Sequence, residues 1–191
     1  MAESGIKSYA SAFMMLAAAA LLMWLGDFFD NPPNIAHHQL LVAAPDARDA
    51  RFEKAVILVL LQRKEGSFGF VVNRPAPGGD YFFGGPMERD KKIYALHSMD
   101  VRLKDTILIK GLDLGIVEGQ EAVDRLMNER KKPEWYIVLK GYSGWGKRQL
   151  TSELDRGDWK VVAFSEKIVE RTRPEKMWDA AMGQPEIKVK K

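Results

Sequence analysis

The residues with chemical potential are few, and they gather at three glycine-rich or proline-rich turns. Ser143 lies in Gly141-Tyr142-Ser143-Gly144-Trp145. A nucleophile elbow requires Gly-x-Ser-x-Gly, so that a strained turn presents the hydroxyl; here the second glycine falls one place early. His97 and Asp100 could complete a triad with Ser143, but no spacing ties the three together. The stretch from Gly141 to Arg148 also follows an apolar strand and opens a helix, the setting of a phosphate-binding loop. Such a loop wraps phosphates with the main-chain N–H groups of small residues, supplies a lysine, then a Ser or Thr for magnesium. Tyr142 and Trp145 are bulky, Arg148 stands in the Ser/Thr position, and no later strand ends in a magnesium-holding Asp. Both readings are disfavoured.

Other turns offer binding rather than catalysis. Arg74 in Asn73-Arg74-Pro75 closes a strand and could hold an anion, although a surface role is the plainer reading. Gly84-Gly85-Pro86 is a tight turn that could wall a ligand, or could be turn geometry alone. Tyr81, Phe82, Phe83, Tyr142 and Trp145 surround these turns and could line a groove, against the simpler alternative that they fill a core. His97 ends a strand, where a histidine is more often a hydrogen-bonded structural group than a catalyst. The candidates for ligand or partner contact are therefore Asn73, Arg74, Gly84, Gly85, His97, Tyr142 and Trp145, and no catalytic set is assembled.

The composition narrows the classes further. There is no cysteine, which removes disulfides, thiolate metal sites and cysteine nucleophiles. Three histidines, His37 and His38 adjacent and His97 distant, do not make a zinc site, and scattered carboxylates have no ligand spacing, so no metal or cofactor is expected. The formal net charge is +3. Glu3, Lys7, Asp27 and Asp30 lie in the first 35 residues, which leaves 28 basic against 23 acidic residues in the remainder. That is short of the concentrated basic stripe that neutralises many phosphates. Arg130-Lys131-Lys132 and the C-terminal lysines read as solvated surface, and direct nucleic-acid binding is disfavoured.

The elements that must position these residues are mostly strands. Leu40–Ala44, Ala55–Leu61, Phe68–Asn73, Ile93–Leu96, Thr106–Lys110, Trp135–Lys140 and Trp159–Phe164 read as strands; the second and third form a hairpin turning at Glu65-Gly66. Helices are expected over Glu118–Lys131, Lys147–Arg156 and Pro174–Met182, ended by Pro133, Gly157 and Gly183 in turn. Strands in runs before helices argue for α+β rather than a regular βαβ array.

Residues 8–25 (SYASAFMMLAAAALLMWL) carry no formal charge. As a helix they would span about 27 Å, close to the ~30 Å core of a bilayer. A core helix would show a polar stripe, and a cleaved signal peptide a small-x-small site, so the anchor is preferred to both. Lys7 and the α-amino group precede the segment and Arg48 is the first basic residue after it, which favours the domain on the outer (periplasmic) side. The cytoplasmic alternative stays open. The organisation is then an anchor (1–30), a Pro-containing linker (31–38), a domain (39–183) and a loose polar tail (184–191).

Taken in order, the turns resemble a known family. Leu40-Leu41-Val42-Ala43-Ala44-Pro45, Asp49-Ala50-Arg51-Phe52, the AVILVLL strand and Gly69-Phe70-Val71-Val72-Asn73-Arg74-Pro75 look like the opening of the YqgE/AlgH family. Phe83-Gly84-Gly85-Pro86-Met87, Leu96-His97, Gly141-Tyr142-Ser143-Gly144-Trp145-Gly146 and Gly157-Asp158-Trp159 continue the likeness to Phe164. The resemblance implies an α+β fold, a single domain of coiled, bifurcating, mainly antiparallel sheet with a few packing helices, here preceded by an N-terminal hydrophobic helix. It also implies Ala at Ser143 and no lysine at Lys147 in relatives, which demotes both side chains as catalysts. One branch of the family is described as a transcriptional regulator, and the resemblance supplies no catalytic set. The chain departs from the family in its N-terminal segment and in the connection Ala76–Phe83, where relatives hold a longer helical insertion.

The leading expectation is a non-enzymatic binding or regulatory domain held at a membrane, acting on an unidentified protein or small ligand. The alternatives are a cytoplasmic transcriptional regulator, acting directly or through partners, and a hydrolase or transferase using Arg74, His97 and Ser143.

Overall fold

A computed structural model of the chain describes residues 38–62, 66–89 and 91–188. The apolar segment 8–25 and the linker up to residue 37 lie outside these residues. Among the described residues no helix is long and apolar enough to cross a membrane.

The β-branched and leucine runs pair as their two-sided apolarity requires. Val56–Gln62 (β2) lies between Gln39–Ala43 (β1) and Gly66–Val71 (β3), all antiparallel. Ser143–Gly146 (β9) adds outside β3, and Trp159–Ala163 (β10) outside β1, closing sheet A in the order β10-β1-β2-β3-β9. Sheet B takes the middle of the chain. Its order is β4-β8-β5-β7-β6, from Phe82–Phe83 (β4), Ile93–Ser98 (β5), Ile107–Ile109 (β6), Leu114–Glu118 (β7) and Tyr136–Lys140 (β8). Among the described residues only the two-residue β4 pairs in parallel, with β8. The fold is α+β with two sheets dominated by antiparallel pairing.

Helices cover the sheets where their apolar stripes demand it. Gln120–Asn128 (α1) buries Ala122, Val123 and Leu126 against Ala95 and Val117 of sheet B. Gln149–Asp155 (α2) buries Leu150 in the sheet A core with Leu41, Ile57, Val71, Trp145 and Trp159. Glu166–Val169 (α3) precedes Pro174–Met182 (α4), whose Met177 and Ala181 are buried and whose Trp178 indole donates to the Ala43 carbonyl at 2.8 Å. Ile187, inside the segment read as a loose tail, donates its N–H to Val161 at 2.8 Å and packs on the sheet A core. The tail is therefore fixed at that residue.

Several elements differ from the sequence expectation. The helix expected from Glu118 starts at Gln120, because Leu114–Glu118 is a strand paired with both β5 and β6. The stretch considered as a phosphate loop is largely a strand, β9, with Ser143 and Trp145 inward and Gly144 and Gly146 outward. The connection Ala76–Phe83 is a small hairpin: Ala76 N–H donates to Tyr81 at 2.8 Å, and Gly78 and Gly79 turn through positive φ of 94° and 78°.

The sheets meet where two glycine turns touch. The Gly84 N–H donates to Lys140 of sheet B at 2.9 Å, and its carbonyl accepts from Val71 of sheet A at 2.8 Å. Met87 and Tyr142 exchange two backbone bonds, at 3.0 and 3.1 Å. A Cβ on Gly84 would stand 2.4 Å from the Gly141 carbonyl oxygen, and one on Gly85 2.1 Å from the Tyr142 carbonyl carbon. Gly84→Ala is therefore expected to cost about 3 kcal/mol or more, since main chain yields less readily than side chains. Gly79→Ala meets nothing within 4 Å and carries only its left-handed φ, worth about 1 kcal/mol. Urea denaturation midpoints at unchanged slope compare the two; similar shifts would sink the junction as a rigid contact.

Candidate functional site

The sequence candidates fall in four separate places. Gly84, Gly85 and Tyr142 form the sheet junction. The Tyr142 ring stacks on Phe68, centroids 4.9 Å apart, beside Phe70 and Tyr94. Burial raises the pKa of both phenols, Tyr94 strongly, which favours their protonated forms. Trp145 is elsewhere, 6.2 Å from Trp159 in an edge-on pair within the sheet A core. Tyr81 lies under the Lys140 ammonium at 4.1 Å. The aromatic groove imagined from sequence proximity is thus divided among three neighbourhoods.

Trp145 marks a group the sequence reading missed. Glu153 on α2 accepts the indole N–H of Trp145 at 2.7 Å and that of Trp159 at 2.8 Å on one carboxylate oxygen. Gln149, one turn earlier, donates to the other oxygen at 3.0 Å and accepts the Gly146 N–H at 3.0 Å. A carboxylate is needed because it accepts several donors and gives none. The Gln149 to Glu153 spacing of i, i+4 was visible, but the two tryptophans it serves are brought together only by the sheet.

His97 has no exposed surface. Its Nδ1 donates to the Ser98 carbonyl at 2.9 Å, which leaves Nε2 as the acceptor facing the Thr106 hydroxyl at 3.5 Å. Gly115, opposite His97 in the β5–β7 register, makes the seat: a Cβ there would lie 2.9 Å from the imidazole Cε1 and 2.6 Å from Thr106 Cγ2. Burial lowers the His97 pKa, opposed by the Ser98 carbonyl and Asp100. Ser143 is equally enclosed, its hydroxyl donating to Gly84 O at 3.4 Å. Asp100 bonds Ser98 Oγ at 2.6 Å and the Glu134 N–H at 3.2 Å, and pairs with Lys131. The imagined triad of Ser143, His97 and Asp100 is not assembled. Among the described residues no group of three His, Asp or Glu could hold a metal ion.

Asn73 and Arg74 do meet, at the corner between a single 3₁₀ turn (Ala50–Phe52) and β2. Asn73 accepts the Val56 N–H at 2.8 Å and donates to Lys54 O at 2.8 Å. Arg74 donates to the carbonyls of Arg51 and Glu53, and burial lowers its pKa. Lys54 is held at φ 50°, a left-handed conformation rare for a residue with a side chain. Its ammonium lies 5.8 Å from the Trp178 ring centroid on α4. Between this corner and α4 is an open cleft of about 220 Å³, bounded by Lys54 and Arg74 on one side and Glu175, Trp178 and Asp179 on the other.

Two measurements test these assignments. Glu153→Ala leaves two indole donors without an acceptor and is expected to cost about 3 kcal/mol, with Glu153→Gln nearer 1 kcal/mol, by urea denaturation. For His97 the folded pKa lies below the unfolded value of about 6.5. The unfolded state then binds more protons, and stability contributed above pH 6.5 is lost as pH falls below it. Glu170 acts in the opposite sense: burial first, then Glu166 and Asp113, raise its pKa to about 7, so it loses stability as pH rises through the window above 4.5. The expected result is that His97→Gln removes an acid-destabilising slope below pH 6.5 and Glu170→Gln removes an alkaline-destabilising one. Superimposable stability–pH curves for His97→Gln and the unsubstituted chain would contradict the buried neutral imidazole.

The chain resembles known proteins over most of its length. A family model described as AlgH-like matches residues 40–190. A UPF0301 protein of Rhizorhabdus wittichii is 32% identical over 163 residues, covering 75% of this chain and 86% of its own. One from Myxococcus xanthus is 30% identical over 162 residues, covering 75% and 87%. The solution structure of the AlgH protein of Pseudomonas aeruginosa shares the fold at 23% identity, with a TM-score of 0.65 over 81% of this chain and 93% of that one. A crystal structure of a Corynebacterium diphtheriae protein does so at 18% identity, TM-score 0.64, over 81% and 90%. The family-model match over residues 40–190, with relatives at 30% identity or more over three quarters of the chain, shows that the chain belongs to the AlgH-like family, the YqgE/AlgH family.

Proposed function

We propose that this chain is a non-enzymatic binding domain, tethered to a membrane by its N-terminal apolar segment and acting through a ligand or partner rather than through chemistry. The observation that carries the reading is where the reactive side chains are spent. The His97 imidazole and the Ser143 hydroxyl are enclosed and donate to main-chain carbonyls. A catalyst needs its nucleophile and base within reach of each other and of a substrate. The cleft beside Arg74 and Trp178, by contrast, is open and lined with charge. Support for the tether lies in the sequence: eighteen uncharged residues at 8–25, followed by Pro32-Pro33.

The test has two parts. Expressed in its native host, the full chain is expected to sediment with membranes and to resist extraction by high salt and carbonate. Release by carbonate would remove the tether from the proposal. In a strain lacking the gene, Ser143→Ala and His97→Gln chains that fold are expected to restore the wild-type phenotype in full. A loss of more than about tenfold in a folded Ser143→Ala chain would point to catalysis instead.

A further inference from the structure

We infer that the cleft between the Asn73–Arg74 corner and α4 is a binding site for a small zwitterion, an α-amino acid or a short peptide with free termini. The inference rests on the binding reading above and names the ligand class for it.

The two banks of the cleft carry different charge. On α4, Glu175 and Asp179 stand at i, i+4 and so share one helix face with Trp178, and that bank contributes carboxylates and an indole. The opposite bank contributes the Lys54 ammonium and the Arg74 guanidinium, with Glu53 beside them. Glu175 pairs at 3.5 Å with Arg173, which precedes its helix as the N-cap residue. Among the described residues no ion pair spans the cleft; the crossing contact is Lys54 over the Trp178 ring, at 5.8 Å. Arg74 is partly buried, its bonds go to two neutral carbonyls, and a guanidinium has five donors, so it retains capacity for an anion.

A simple anion would meet Glu175 and Asp179; a simple cation would meet Lys54 and Arg74. A molecule with a carboxylate at one end and an ammonium at the other satisfies both banks, its carboxylate toward Lys54 and Arg74 and its ammonium toward Glu175 and Asp179. The volume of about 220 Å³ accommodates an amino acid or dipeptide and no large cofactor. The corner is also pre-set. Asn73 and Arg74 fix the main chain at Arg51, Glu53, Lys54 and Val56, and Lys54 keeps its left-handed φ of 50° before any ligand arrives.

The experiment is a titration of the full chain in mild detergent, with indole ¹⁵N labelling, using diglycine as the probe. The Trp178 indole signal is identified by its loss in Trp178→Phe. Diglycine is expected to shift that signal saturably, with affinity on the order of millimolar for so few atoms. Acetate and methylammonium at equal concentration are expected to leave it in place. Lys54→Gln and Asp179→Asn, both exposed, change only side chains, since the clamp holds Lys54 by its main-chain carbonyl, and should each weaken binding about two- to fivefold. Glycine and triglycine arms distinguish a free amino acid from a peptide as the source. The proposal is overturned if diglycine gives no saturable shift at Trp178, if either single-charge probe moves the signal as far, or if Lys54→Gln and Asp179→Asn together leave affinity unchanged. Membrane sedimentation and complementation by Ser143→Ala do not depend on this cleft, so the broader binding reading survives or fails separately.

Discussion

One peptide unit on each side of Gly84 ties the two sheets together. Its N–H belongs to the hydrogen bonding of sheet B and its carbonyl to that of sheet A. The strands cannot come this close with a side chain in the way, so Gly84, Gly85 and Gly141 are required by contact distance. Chain direction follows from the junction. Leaving β3, the chain turns through the short 76–83 hairpin into sheet B; leaving β8, it turns at Gly141, at φ 70°, back into sheet A. The aromatic cluster of Phe68, Phe70, Tyr94 and Tyr142 fills the angle where the sheets diverge.

Polar side chains elsewhere serve the same end of fixing backbone. Asn73 and Arg74 hold a corner, His97 and Thr106 close the space over Gly115, and Glu153 gathers two indoles beneath α2. Buried polar groups are costly unless paired, and here each of these is paired. At the cleft where α4 faces the Arg74 corner, the rigidity of the corner and the charge it presents come from the same few residues.

The family and its turns were legible in the sequence because each turn depends on local chemistry: Asn-Arg-Pro at a strand end, Gly-Gly-Pro, Gly-Tyr-x-Gly-Trp. The seven apolar strands were legible too. Of the strands that were not, Phe82–Phe83 and Ser143–Gly146 are short or rich in glycine and owe their existence to partners far along the chain, whereas Leu114–Glu118 pairs with its near neighbours β5 and β6 and runs almost directly into the helix that hides it. Ser143–Gly146 pairs with Gly66–Gly69, where a Cβ at Gly66 would lie 2.7 Å from Trp145 O; no local propensity announces that. Asn73 and Arg74 were singled out for their types, yet their neighbours Lys54, Trp178 and Asp179 come from segments more than a hundred residues apart. Tyr142 and Trp145 seemed one cluster because they are close in sequence, whereas along β9 and its approach they serve different packing layers.

The pairing of β1 with β10 sets an order on synthesis. Sheet B is built from residues 82–140 without interruption, so it can complete as the chain emerges from the ribosome. Sheet A cannot: β1 is among the first of its strands to appear, and its outer edge waits for Trp159–Ala163, with Ile187 fastening that last strand in turn. Until then an apolar edge of Leu40, Leu41 and Val42 lies open to whatever other strand is near. Translation that stalls before residue 159 would leave a chain with a finished half and an adhesive one, so the segment from Trp159 to Ile187 decides whether the nascent chain folds or aggregates.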